Sequence, residues 1–151
     1  MGPRRLPLTL RPPVHLPILP EGITVQVRPR FSLARSDPGD GTFVFSYRVE
    51  LANEGHEEAK LLFRHWRIHD AVGEDSEVDG EGVVGEQPLL TPGERHTYSS
   101  FCVLRSPVGY MEGHYTFQRP DGRRFRVPVP RFHLEGPFFR REGDGEEAVM
   151  H

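Results

Sequence analysis

Apolar residues in this chain recur at every second position across one segment after another. In FVFSYRVEL, Phe43, Phe45, Tyr47, Val49 and Leu51 share one face of an extended chain while Ser46, Arg48 and Glu50 occupy the other, the pattern of a half-buried antiparallel strand. ITVQVRPRF (Ile23 to Phe31) alternates in the same way, and RRFRVPVP sets Phe125, Val127 and Val129 inward. Pro128 and Pro130 supply no ladder donor, which assigns this last strand to a sheet edge. Further strands are predicted over Leu61–Asp70, Glu77–Val84, Arg95–Leu104 and Tyr110–Gln118. Turn chemistry punctuates them at Pro38-Gly39-Asp40-Gly41, Asn53-Glu54-Gly55, Thr91-Pro92-Gly93 and Pro120-Asp121-Gly122. No segment carries a 3.6-residue period. The expected fold is therefore all-β, an antiparallel sandwich of about seven strands of the immunoglobulin or fibronectin type III kind.

At 151 residues the chain has room for one two-layer core. Residues 1–21 are rich in proline and arginine and read as an extended arm. The sandwich is expected over residues 22–134. Residues 135–151 end in acids and glycines without periodic apolar positions and read as a disordered tail. No apolar run approaches the ~20 residues of a membrane span, and prolines break up any secretory leader in MGPRRLPLTLRPPVHLPILP. Cys102 is the only cysteine, so no internal disulfide requires an oxidising compartment and a cytoplasmic location is expected. The net charge of −3 argues against a nucleic-acid partner.

The stretch DGEGVVGEQP contains Gly80, Gly82 and Gly85 at the spacing of a nucleotide-binding loop. Such a loop needs a helix after the glycines, whose N-terminal N–H groups attract phosphate. Pro88 stands three residues beyond Gly85 and leaves no room for one. From Asp70 to Glu86 the chain holds seven acids and no lysine or arginine, a field that repels phosphate and attracts a cation. Asp75, Glu77, Asp79 and Glu86 also approach the spacing of a calcium loop, which makes a weak divalent-cation site conceivable on ligand type alone. Against it stand the long Glu77 at the third ligand position, Gly82 where an apolar residue belongs, and the missing flanking helices. Glycines inside strands more often mark a bulge or the close approach of another backbone.

His65 and His69 would lie about 13 Å apart on one face of a strand, too far to share a metal by themselves. Trp66 falls with Leu62, Arg64 and Ile68 on the opposite face and is expected in the core. His114 beside Glu112, and His96 before Tyr98, come with no nucleophile elbow, zinc motif or redox pair. Cys102 lies in an apolar strand, where it acts as a small hydrophobe. No catalytic constellation emerges.

Several motifs in order carry a family likeness: Phe63-Arg64-His65-Trp66, the run Gly80–Leu90, Pro92-Gly93-Glu94, Pro107-Val108-Gly109 with Met111–Tyr115, and Pro130–Leu134. Together they resemble the ApaG family over roughly Ile23–Leu134. The resemblance implies a fibronectin type III-like sandwich and a link to cobalt resistance and magnesium efflux, where the family is also called CorD. In eukaryotes it implies a domain appended to F-box and polymerase-interacting proteins for protein contacts. It brings no catalytic residues. This chain departs from the family pattern in the acidic GEDSEVD segment and in its long proline-rich arm. The function so implied is a non-enzymatic interaction module with a protein partner and no cofactor, self-association through an edge strand being open to it. The partner surface is expected at Gly80, Glu81, Gly82, Gly85, Glu86 and Gln87, together with Pro107, Gly109, Met111, Glu112 and His114. The alternative is a divalent metal or metal-polyphosphate ligand at the acidic loop. Hydrolysis of a dinucleotide polyphosphate is the weakest reading.

Overall fold

The computed structural model describes residues 21–137. The arm before Glu21 and the tail after Pro137 lie outside the described residues. The described residues form eight strands: β1 (Ile23–Phe31), β2 (Phe43–Asn53), β3 (Ala59–Asp70), β4 (Glu74–Glu81), β5 (Leu89–Leu90), β6 (Arg95–Leu104), β7 (Val108–Gln118) and β8 (Arg124–Glu135). One sheet has the order β1-β2-β6; the other has the order β4-β3-β7-β8, with β5 pairing to β3. All pairings are antiparallel. The seven strands expected from alternation are present, the one expected over Glu77–Val84 running instead over Glu74–Glu81 and yielding to a turn beyond it, and β5 is the addition, a two-residue piece too short to show a period. The proline-bearing β8 lies at an edge, as Pro128 and Pro130 require. It runs through Glu135, and Gly136 N–H then donates to the Pro107 carbonyl at 2.6 Å.

The inward rows of the two sheets form one core. Phe45, Val49 and Leu51 of β2 and Leu61, Tyr115, Phe117 and Leu134 of the facing sheet are buried to within about 1%. Trp66 stands at its centre, edge-on to Tyr47, Tyr115 and Phe132 with ring centroids 5.8 Å away in each case. Such edge-to-face contacts suit the ring quadrupoles and add to area burial.

Two irregularities break the alternation. Between Leu61 and Phe63 the β3–β7 register slips by one, so Leu61 and Leu62 are both buried. Between Met111 and Gly113 the β7–β8 register slips as well, and β8 changes face: Val127 and Val129 point inward before the slip, Phe132 and Leu134 after it. The extra residue falls at Pro130-Arg131, where the missing proline donor breaks the ladder at least cost. Among the described residues no helix is long and apolar enough to cross a membrane.

Candidate functional site

The glycines of Gly80–Gln87 each answer to a local steric demand. Gly80, next to last in the exposed strand β4, lies under the Arg64 side chain: a Cβ there would sit 2.6 Å from the guanidinium carbon. Arg64 lies across it to donate from Nη1 to the carbonyls of Glu81 (3.0 Å) and Gly82 (2.9 Å). Gly82 has φ +61°, and a Cβ would meet the Glu86 carbonyl oxygen at 2.1 Å. Val83 and Glu86 exchange backbone hydrogen bonds at 2.8 and 3.0 Å, which closes a two-residue hairpin. Its tip residues, Val84 and Gly85, both have positive φ (48° and 78°), as a type I′ turn demands.

The hairpin is fixed to the sheet on both sides. Gly82 N–H donates to the Leu62 carbonyl at 2.7 Å, and Gln87 Nε2 donates to the same carbonyl at 3.0 Å. Val83 is fully buried beneath it. The N–H groups of Gly82, Val83 and Glu86 therefore already have carbonyl partners, and Pro88 leads into β5 rather than into a helix. The arrangement shows no cradle of free N–H groups aimed at one point, which is what a phosphate loop provides.

Val84 is the unusual residue. A β-branched side chain at positive φ is a genuine outlier, yet Val84 sits at the hairpin tip with 62% of its surface exposed. Phe63, 36% exposed, lies opposite Glu81 at the foot of the hairpin. Nothing in the glycine spacing signals the strained valine. Reading Val84-Gly85 as a two-residue turn between Val83 and Glu86 would have found it.

The acidic segment is a strand, not a loop. Asp75, Glu77 and Asp79 alternate along one face of β4, opposite His69, Arg67 and His65 of β3 in register. Asp75 Oδ1 meets His69 Nδ1 at 2.5 Å, and its Oδ2 lies 3.6 Å from Arg67. Asp79 and Glu77 meet the two ring nitrogens of His65 at 2.6 and 3.2 Å. The hydrogen bond from His69, reinforced by the charges of His69 and Arg67, holds the Asp75 carboxyl below its ordinary range. Glu86, the fourth expected cation ligand, stands beyond the turn in the hairpin. Among the described residues no three of the His, Cys, Asp and Glu side chains converge into a metal-holding group.

The same face continues onto β7 and β8. His65 stacks on His114 and His69 on Tyr110, with centroids 4.9 and 4.6 Å apart. Arg131 donates to Glu112 at 2.7 Å and lies 3.7 Å over the Tyr110 ring. Burial, with the nearby charges of Arg126 and His65, holds the His114 pKa below its ordinary value. His65 and His69 thus belong to two separate cross-strand rows, in keeping with their spacing along the strand.

The two segments expected to form one partner surface are apart. The hairpin lies against Leu62 and Phe63 at one end of the paired part of β3, whereas Pro107 and Val108 lie by Asp70 and Ala71 at the other. About 23 Å of strand separates them. Glu112 and His114 occupy the outer face between. Gly109 and Met111 belong to the interior: Met111 is 1% exposed, and a Cβ on Gly109 would lie 2.2 Å from the His69 carbonyl oxygen. The apolar environment opposite Ile68 and Phe132 takes Met111 out of any partner surface. At the Pro107 end, Asp70 Oδ2 accepts from Arg105 N–H at 2.6 Å and Oδ1 from Ser106 Oγ at 2.7 Å. Burial alone would raise the Asp70 pKa; these bonds and the Val72 N–H outweigh it and hold the carboxyl below its ordinary range.

Comparison with known proteins agrees with this description. The family profile for the ApaG domain matches residues 33–119. Protein ApaG of Methylorubrum populi is 48% identical over 120 residues, spanning 80% of this chain and 92% of that protein. Protein ApaG of Anaeromyxobacter dehalogenans is 50% identical over 117 residues, spanning 78% of this chain and 92% of its own length. A solved Bordetella pertussis structure that carries the name ApaA superposes with a TM-score of 0.75 at 43% identity, covering 79% of this chain and 97% of that one.

Proposed function

Because this chain belongs to the ApaG domain family, we propose that it serves as a non-enzymatic interaction module whose protein partner docks on the hairpin Gly82–Gln87. The observation that carries the reading is Val84. An exposed valine in the left-handed region contributes little to the core and costs backbone strain, and an apolar residue at the tip of a rigidly held hairpin is well placed to anchor a partner. Phe63 and the carboxylates of Glu81 and Glu86 supply an apolar foot and a charged rim.

A divalent metal or metal-polyphosphate ligand at the same segment has less support. Asp75, Glu77 and Asp79 already face His69, Arg67 and His65, and the N–H groups of Gly82, Val83 and Glu86 are bonded within the fold. Hydrolytic chemistry has less still: no three metal-ligating side chains converge among the described residues, and burial pushes the Cys102 thiol up to about 11 and keeps it protonated. On this reading the protein works in the cytoplasm, and any influence on cobalt or magnesium handling runs through the partner.

The test is capture of cellular partners on immobilised wild type, Val84→Asn and Glu86→Lys. Asparagine suits the left-handed turn better than valine, so a partner lost with Val84→Asn is lost from a protein at least as stable. Equal recovery of every partner by all three proteins would remove the hairpin from the proposal.

A further inference from the structure

The two sheets have four outer edges, and three are guarded against pairing with another strand. β1 carries Pro29, β8 carries Pro128 and Pro130, and β4 carries Glu74, Asp75, Glu77, Asp79 and Glu81. Proline and rows of like charge are the usual means of blunting an edge. The fourth edge, β6, has neither. Its ten residues pair with β2 in continuous register, and no proline, acid, lysine or arginine occurs from Thr97 to Leu104.

The ladder shows which groups are open. Asn53 N–H donates to the Glu94 carbonyl at 2.9 Å, and alternation from that pair directs the even-numbered residues of β6 toward β2. Thr97, Ser99, Phe101 and Val103 therefore turn their N–H and C=O groups to the outer edge, where no described strand pairs with them. Their side chains stand on the outer face of the sheet, with Phe101 48% and Val103 63% exposed and Arg35 lying 4.4 Å over the Phe101 ring.

We propose that β6 pairs with β6 of a second copy of this chain, antiparallel about a two-fold axis, joining two three-stranded sheets into one of six strands. A strand set against its own copy about such an axis is antiparallel of necessity. With Phe101 opposite its symmetry mate, Ser99 faces Val103 and Thr97 faces Arg105. In that register the open N–H and C=O groups of Ser99, Phe101 and Val103 all meet partners, while Arg105, whose N–H already donates to Asp70, offers Thr97 only its carbonyl; no like charges oppose each other within the ladder.

The chain's own terminal segments fit this edge less well. The first twenty residues contain Pro3, Pro7, Pro12, Pro13, Pro17 and Pro20, so no run between prolines exceeds the four residues Leu8–Arg11. A ladder along β6 needs more. The segment after Pro137 departs from β8, in the other sheet, and reads FFRREGDGEEAVMH, with charges and glycines where a strand would need alternation. A second β6 supplies the full length, neutrality and open groups. This inference is independent of the hairpin proposal.

Sedimentation equilibrium of the full chain, combined with amide exchange by NMR, tests it. Wild type should shift from 17.2 kDa toward twice that mass with rising concentration, with a Kd of about 10 µM, the range of a small transient interface. The amides of Ser99, Phe101 and Val103 should exchange more slowly as the dimer forms. Ser99→Pro removes an edge donor, and Phe101→Lys places like charges at the axis; each should raise the Kd at least ~10-fold with the monomer still folded. Should Ser99→Pro fail to fold, Phe101→Lys, altered only on the outer face, decides the matter. A wild type that stays monomeric overturns the proposal, whether its edge amides exchange freely or are covered by another segment. A dimer that both variants leave intact overturns it too, since its interface lies elsewhere.

Discussion

Replacing Val84 by asparagine should stabilise the protein, and the size of the gain can be worked from the hairpin. A β-branched residue held at φ +48° carries a left-handed backbone cost of about 1–2 kcal/mol, most of which asparagine avoids. The opposing term is lost apolar burial. Full burial of a valine side chain contributes about 1.5 kcal/mol; with 62% of Val84 exposed, the part at stake is roughly a third of that, about 0.5 kcal/mol. The net expectation is a gain of about 0.5–1 kcal/mol, or a Tm rise of about 2–5 °C for a domain of this size. Urea and thermal unfolding of the two proteins measure it, the urea slope m being unchanged if the denatured state is the same. Val84→Ala is the control: it keeps a Cβ in the left-handed region and should gain nothing. A Val84→Asn protein that is less stable than wild type by 0.5 kcal/mol or more would mean that the valine holds the hairpin together, and the case for a strained contact residue would collapse.

Gly113→Ala should destabilise by about 2–3 kcal/mol, because its Cβ would lie 1.9 Å from the His65 carbonyl oxygen and force β7 away from β3; urea unfolding checks it, and a cost below 0.5 kcal/mol would show that the strands separate freely. Asp70→Ala should cost about 2–3 kcal/mol at pH 7 by leaving Ser106 Oγ and the Arg105 N–H without their acceptor. Since the folded carboxyl titrates below its unfolded value, its contribution is complete above about pH 4 and fades as pH falls through the folded pKa. Wild type and variant stabilities should therefore converge in acid, and a gap independent of pH would assign the loss to packing. Titration with Mg²⁺, Co²⁺ and pyrophosphate in turn, followed on the amides of Asp75–Gln87, should leave them unmoved to low millimolar ligand; saturable shifts would restore the ligand-binding reading of the acidic strand.

The fold was legible because the segments that bury one face announce it with a period of two, and turn residues bracket them. Val49 and Leu51 are buried to the residue as alternation requires. Legibility fails where a bulge resets the phase. Phe132 and Leu134 lie on the inner face only because the slip at Pro130-Arg131 adds a residue, and Leu62 is buried beside Leu61 for the same kind of reason. The glycine segment was half legible: the absence of room for a helix could be counted, but the guanidinium over Gly80 comes from Arg64, sixteen positions away, and only pairing of β3 with β4 brings them together. Met111 belongs to the core although motif likeness sets it on the surface, because a strand shows only one residue in two to solvent and the likeness does not say which.

The two proposed surfaces lie on different sheets, and this has a consequence for how they act together. β6 is the edge of the three-stranded sheet, whereas the hairpin follows β4 and is bonded to β3 in the other. Pairing through β6 therefore leaves both hairpins of a dimer free, and a two-fold axis presents them as an identical pair. A partner that carries two docking sites would gain through effective concentration, by ~10²–10⁴ in apparent affinity where the spacing allows both to engage, while a partner with one site would gain nothing. Phe101→Lys should then weaken capture by a bivalent partner and leave single-site binding unchanged, whereas Val84→Asn should weaken both and leave the mass of the dimer as it was. A Phe101→Lys variant that loses single-site binding would show that the edge and the hairpin form one surface after all.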